Sequence, residues 1–207
     1  MNTSKDFAKQ VNVSRETLER LEKYAALLRK WNPAINLVAK STLDDLWSRH
    51  MLDSAQIFSL APEDTTSWVD LGSGGGFPAL VVSAMALESN PDLQMTLVES
   101  DQRKSTFLRT VIRELGLNAK VIAKRIENVS DVQAQVISAR ALASLGQLFD
   151  WSEAYRLPES IAIFPKGATV EKEIKEALAS WGFVTEKFTS KTDSQATILK
   201  IGEIHRV

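Results

Sequence analysis

Residues 69–80 read VDLGSGGGFPAL: an acid, Asp70, near the end of an apolar run, then Gly72, Gly74, Gly75 and Gly76. Four of the chain's nine glycines stand in this one stretch. Glycine reaches positive φ and lets a ligand approach the main chain, at an entropic cost that a cluster this dense must justify. A dinucleotide fingerprint, G-x-G-x-x-G, would need its third glycine where Phe77 stands. The pattern is instead D-x-G-x-G-x-G. Its acid would repel a pyrophosphate and suits a cationic or amine-bearing ligand. S-adenosylmethionine fits, with an α-amino group, a sulfonium, an adenosine and no phosphate. Glu99 ends the next apolar run, where its carboxylate can accept from both ribose hydroxyls. The alternative is a tight structural turn beside a solvated acid.

Other residues bear chemistry too. RHMLDS puts Arg49, His50, Asp53 and Ser54 within one and a half helical turns, with His50 and Asp53 three apart on one face. They could contact a substrate base, or form an ion pair tying a helix to the core. Trp31, Asn32 and Asn36 pose a similar choice between packing anchor and base contact. Lys166, in FPKG, ends an apolar run and suits a phosphate or substrate contact. Arg140, in SARAL, follows another such run. The formal net charge is −1, yet residues 101–127 hold Arg103, Lys104, Arg109, Arg113, Lys120, Lys124 and Arg125 against three acids. Such a patch binds phosphates, or is a solvated helix face.

Absent residues narrow the reaction. There are no cysteines and two histidines. That removes disulfides, cysteine-ligated zinc, iron–sulfur clusters and the cysteine adduct used for cytosine C5 methylation. The stretch after the fourth strand has no N/D-P-P-Y/F motif of the kind used on adenine amines. No carboxylate cluster accompanies the glycine loop, so no metal is expected. An unprotonated ring nitrogen needs none of these groups, and their absence is consistent with such an acceptor without singling it out. Its lone pair lies in the ring plane and carries no proton, so alignment and a suitable field suffice.

These residues need elements to hold them. Ser14 caps a helix predicted to run to about Trp31, with Leu18, Leu21, Ala25 and Leu28 on one face. Pro33 is expected to help end it, and NPAINLVAKST to be a loop. Thr42 with Asp45 predicts a second helix to about Leu60. Short strands then alternate with helices: SWVDL, LQMTLVE, NAKVIA, AQVISA and SIAIF, followed by a closing hairpin of GFVTEKF and QATILKI. The pattern predicts an α/β doubly wound, mostly parallel sheet with an antiparallel edge. Residues 1–61 are read as a helical N-terminal extension and 62–207 as the core. No apolar signal or bilayer-length run is present, so the chain is read as cytoplasmic, with no membrane partner.

WNPAINLV, RHMLDSA, DLGSGGGFP, VESDQRKSTFLR, RIENV, SARALASL and FPKG occur in this order from about Leu27 to Gly167. In this the chain resembles the bacterial small-subunit ribosomal RNA methyltransferases that methylate N7 of a guanine in 16S rRNA, also called glucose-inhibited division protein B. VESDQRK and SARAL resemble its alphaproteobacterial branch. The resemblance implies a class I, Rossmann-like methyltransferase using S-adenosylmethionine, with 16S rRNA or the small ribosomal subunit as partner; the chain itself is expected to be a monomer. It places the cofactor on Gly72, Phe77, Ile126, Glu127 and Arg140, with Glu99 as the acid after the second strand. Asp70 and Gly74 join that set from the glycine pattern. His50, Asp53 and Lys166 are the residues expected at the substrate. The last forty residues carry little of the resemblance. Rival readings are an NAD-dependent oxidoreductase, a non-catalytic RNA-binding module and a methyltransferase of other RNAs or of small molecules.

Overall fold

The computed structural model describes residues 3–207. The first helices are α1 (Ser4–Ala8) and α2 (Arg15–Ile35). The Ser14 hydroxyl caps α2 by accepting from Thr17 N–H at 3.0 Å. Leu21, Tyr24, Ala25 and Leu28 form its buried stripe. The helix runs four residues past its predicted end, through Pro33. Proline keeps a helical φ and so close to the end removes only one hydrogen bond. The true stop is Asn36, in the left-handed region at φ 48°.

The predicted helix from Thr42 to Leu60 is instead three pieces: a 3-10 turn (Lys40–Thr42), a π-helix (Trp47–Leu52) and α3 (Asp53–Phe58). Thr42 does not serve as a cap. Its hydroxyl donates to the Ala39 carbonyl at 2.8 Å and meets the His50 ring.

The sheet is built from β1 (Ser67–Leu71), β2 (Gln94–Val98), β3 (Ala119–Ile122), β4 (Ala134–Ala139), β5 (Arg156–Lys166), β6 (Trp181–Thr189) and β7 (Thr197–Arg206). Between them come α4 (Ala79–Ser89), α5 (Gln102–Leu115), α6 (Leu145–Ser152) and α7 (Val170–Ala177). The strand order is β3-β2-β1-β4-β5-β7-β6. The first five strands are parallel, and β7 is antiparallel to both β5 and β6. The order reverses between β1 and β4, which makes their carboxyl ends the switch point where ligands bind on such sheets.

Alternation along β1 divides the core. Trp68 joins a cluster with Leu21, Tyr24, Phe77 and Phe107, on the side of α2, α4 and α5. Val69 and Leu71 join Phe149, Tyr155, Phe164 and Trp181 on the other face. The N-terminal helices therefore bury their apolar stripe in the same cluster as one face of the sheet.

Candidate functional site

The glycine loop leaves β1 with Gly72, Gly74 and Gly76 at φ 65°, 53° and 95°. Three neighbours latch it. Glu99, just after β2, accepts from Gly74 N–H at 2.8 Å. Ser73 N–H donates to the Val98 carbonyl at 3.1 Å. The Tyr24 hydroxyl, from α2, donates to the Gly75 carbonyl at 2.6 Å. Tyr24 also lies against Phe77, centroids 5.2 Å apart, so the N-terminal helix braces the loop directly.

The loop opens onto a cavity of about 1140 Å³ at the carboxyl ends of the strands. Gly72, Gly74, Phe77, Glu99, Ile126, Glu127 and Arg140 all line it, as do His50, Asp53 and Lys166. Ile126 is in a 3-10 turn (Ile126–Asn128) after β3, fixed by the buried Tyr155 hydroxyl donating to its carbonyl at 2.7 Å.

Asp70 does not line it. Its residue is 1% exposed, beneath the loop, and Oδ1 accepts from the Ser138 hydroxyl of β4 at 2.6 Å. Ser138 in turn accepts from the Trp68 indole N–H at 2.9 Å. The expectation that Asp70 faces a ligand amine is thus revised: side-chain alternation turns it into the Trp68 face. Oδ2 has no partner among the described residues. Burial pushes its carboxyl up to about 7, against lowering by Ser138, Ser73 and Arg140.

Arg140 is held by more than the loop. Nη2 donates to His50 Nδ1 at 2.8 Å, and Nη1 to the Arg49 carbonyl at 3.2 Å and to Asp53 Oδ2 at 3.4 Å. Its guanidinium lies 5.1 Å from the Phe77 centroid. An arginine can only donate, so His50 Nδ1 is the acceptor and Nε2 carries the proton. Nε2–H then donates to Thr42 Oγ1 at 2.9 Å. His50 does not pair with Asp53, as their spacing suggested; Arg140 stands between them. Burial first, then Arg140 and Arg49, lower the imidazole to about 3, so it is neutral at physiological pH.

Lys166 fits poorly as a free substrate contact. Its Nζ donates to the Ala143 carbonyl at 2.7 Å and to Glu173 at 2.8 Å, with its side chain 7% exposed. It ties the end of β5 to α7. Trp31 packs on Phe107, and the Asn32 amide oxygen accepts from Val38 N–H at 2.8 Å, so both are packing residues. Asn36 is a helix cap. Of the basic segment, Lys104, Lys124 and Arg125 line the cavity. Arg103 pairs with Asp101, and Arg113 with Glu114.

Sequence reasoning missed the chain between β6 and β7. Gln56 Nε2 donates to Ser190 Oγ and its Oε1 accepts from Lys191 N–H, while Thr192 Oγ1 donates to Asp53 Oδ1. Thr192, Asp193, Ser194 and Ala196 therefore line the cavity. A polar run, SKTDSQ, between two strands is the one signal of it in the sequence.

The residues fit S-adenosylmethionine. Each Glu99 oxygen already accepts one backbone N–H, from Gly74 and Asp101, and keeps a lone pair for a ribose hydroxyl. A Cβ on Gly74 would meet nothing nearer than the Gly72 carbonyl at 3.8 Å, so that backbone is open to a ligand. Gly74 N–H is spent on Glu99 and is not offered to a pyrophosphate.

Residues 17–199 match the family model described as GidB, rRNA small subunit methyltransferase G. This runs past the Leu27–Gly167 stretch of motifs at both ends. "Ribosomal RNA small subunit methyltransferase G" of Ruegeria pomeroyi is 49% identical over 200 residues, 97% of this chain and 98% of the relative. That of Rhodospirillum centenum is 49% identical over 199 residues, 96% of this chain and 90% of the relative. Among solved structures, ribosomal protein L11 methylase from Lactobacillus delbrueckii subsp. bulgaricus aligns with TM-score 0.59 at 18% identity, covering 74% of this chain and 77% of that one. M. jannaschii TYW2 in complex with AdoMet aligns with TM-score 0.56 at 11% identity, covering 78% of each chain. At such identities the likeness speaks for the fold.

Proposed function

Because the chain belongs to the rRNA small subunit methyltransferase G family, we propose that it transfers the methyl group of S-adenosylmethionine to N7 of a guanine in 16S ribosomal RNA. When bound, that cofactor supplies a methyl group on a sulfonium, open to in-line attack.

The observation that carries the N7 reading is that the three residues expected at the substrate, His50, Asp53 and Lys166, offer no free base. His50 is neutral with both ring nitrogens engaged, Lys166 is tied to Glu173, and Asp53 is tied to Arg140. An exocyclic amine or a ring carbon must lose a proton around transfer, and these residues are poorly placed to take it. N7 requires no such step. The chain's work is then to hold, orient and exclude water. Glu99 and the glycine loop hold the nucleoside. Arg140, resting on Phe77 and His50, fixes the wall between the two ligands. Lys104, Lys124 and Arg125, with Arg49 opposite, have no ion-pair partner among the described residues and lie at the cavity. The cofactor carries one carboxylate and no phosphate, so it needs at most one of these cations, and the others are assigned to RNA phosphates. The helical N-terminal extension braces the loop and supplies Arg49, His50 and Asp53.

The test is incubation with labelled methyl donor and small-subunit RNA or subunits, followed by mapping of the modified atom. Label on N7 of one guanine supports the reading. Label on an amine, a ring carbon or a small molecule rejects it.

A further inference from the structure

Strand order divides the cavity in two. The loops after β1, β2 and β3 line one half with Gly74, Glu99 and Ile126; beyond β4, the other half is lined by Arg140, Lys166 and the 192–196 stretch. The volume of about 1140 Å³ exceeds what one small ligand usually fills, about 300–1000 Å³. A nucleobase has room beside the cofactor.

In the second half the other carboxylates, Asp53 and Glu173, and the cations Arg140 and Lys166 are already spent on protein. Arg140 and Lys166 are engaged as described. Asp53 Oδ1 receives Gln56, Thr192 and Ser190, and Oδ2 receives Arg140. Asp193 differs. Its Oδ1 accepts from Gln195 N–H at 2.9 Å, and its Oδ2 has no hydrogen bond among the described residues. Its loop is anchored on both sides of Lys191 by Gln56 and Asp53, so the carboxylate is presented from a fixed support.

We propose that Asp193 selects the target guanine by accepting from its N1–H and N2 amine. This rests on the N7 reading. N7 and the N2 amine lie at opposite ends of a purine. A guanine with N7 turned toward the β1–β3 half must turn N1 and N2 toward the far half, where Asp193 stands. Two donors meeting a carboxylate with a free oxygen make a charge-assisted contact that adenine, with an acceptor at N1, cannot reproduce. Asp53 and Gln56 act through the loop as positioning residues.

Asp193→Asn tests this cleanly. The amide oxygen keeps the bond to Gln195 N–H, while an NH2 replaces the free oxygen and opposes the guanine donors. The substrates are RNA with guanine or inosine at the methylated position, inosine lacking the N2 amine. Wild type should prefer guanine about tenfold in kcat/KM, and the variant should lose about 10–100-fold on guanine and most of that preference. S-adenosylhomocysteine affinity by calorimetry should not change. An unchanged guanine-to-inosine ratio in the variant overturns the role of Asp193 while leaving N7 methylation intact. Wild type that leaves N7 unmodified overturns the underlying reading, and this proposal with it.

Discussion

Arg140 donates to Nδ1 of His50 at 2.8 Å, bridging two residues ninety positions apart in sequence. The contact joins the end of β4 to the π-helix and fixes the imidazole's tautomer. Arg140→Ala would leave Asp53 Oδ2 and His50 Nδ1 without their donor. We expect a loss of about 2–4 kcal/mol in urea denaturation. Methyl transfer should fall at least tenfold, with S-adenosylhomocysteine affinity falling less. Equal losses in both would assign Arg140 to the cofactor alone.

His50 should stay neutral throughout physiological pH. Its pKa of about 3 lies below the unfolded value of about 6.5, so the unfolded chain takes up the proton first. The resulting stability is present above about pH 6.5 and is lost as pH falls toward 3. NMR of the ring should show no titration between about pH 5 and 8. In Arg140→Gln the pKa should rise only partway, because burial is the larger cause. Because N7 carries no proton to remove, Asp53→Asn should lower turnover without adding an acidic limb to the rate profile.

Asp70 works in the opposite direction. A carboxyl held near 7 when folded and near 3.9 when unfolded means the native state keeps a proton that the unfolded state has released. Stability therefore declines from about pH 4 to 7 and levels off above. Asp70→Asn keeps an acceptor for Ser138 and removes the titration. Its stability relative to wild type should be higher at about pH 8 than at about pH 5, by up to about 3 kcal/mol. Parallel denaturation curves at the two pH values would rule this out.

Gly74 and Gly76 should fail differently. Both have positive φ, but a Cβ on Gly74 enters open cavity, whereas one on Gly76 overlaps Leu80 and crowds the Tyr24 hydroxyl. Gly74→Val should cost about 1–2 kcal/mol of stability and most cofactor affinity. Gly76→Ala should be read mainly as a lower denaturation midpoint. Intact cofactor binding by folded Gly74→Val would place the ligand elsewhere.

Lys104→Gln with Lys124→Gln tests the RNA side. Each substitution that removes a phosphate-binding charge should flatten the dependence of log affinity on log salt by slightly less than one unit. An unchanged slope would make these lysines ordinary surface charges.

Local patterns determined much of this protein. The alternation of short apolar runs with amphipathic helices specified the parallel sheet, because periods of 2 and 3.6 are properties of adjacent residues. Backbone needs specified the glycine loop, and Glu99 followed from its place at the end of β2. Helix ends and the 42–60 stretch were less legible. Pro33 is a weak stop near a helix terminus, and the hydroxyl of Thr42 is claimed by Ala39 and His50 rather than by a cap.

Tertiary structure decided what the polar side chains are free to do. Sequence placed His50, Asp53, Arg140 and Lys166 as candidates, but could not show that Arg140 separates His50 from Asp53, or that Glu173 occupies Lys166. It could not show that strand β7, inserted between β5 and β6, carries residues 192–196 to the cavity. Which partner satisfies a hydrogen-bonding group, and how far burial shifts its protonation, depends on residues distant in the chain. Spacing along the sequence does not encode those distances; packing of the folded chain sets them.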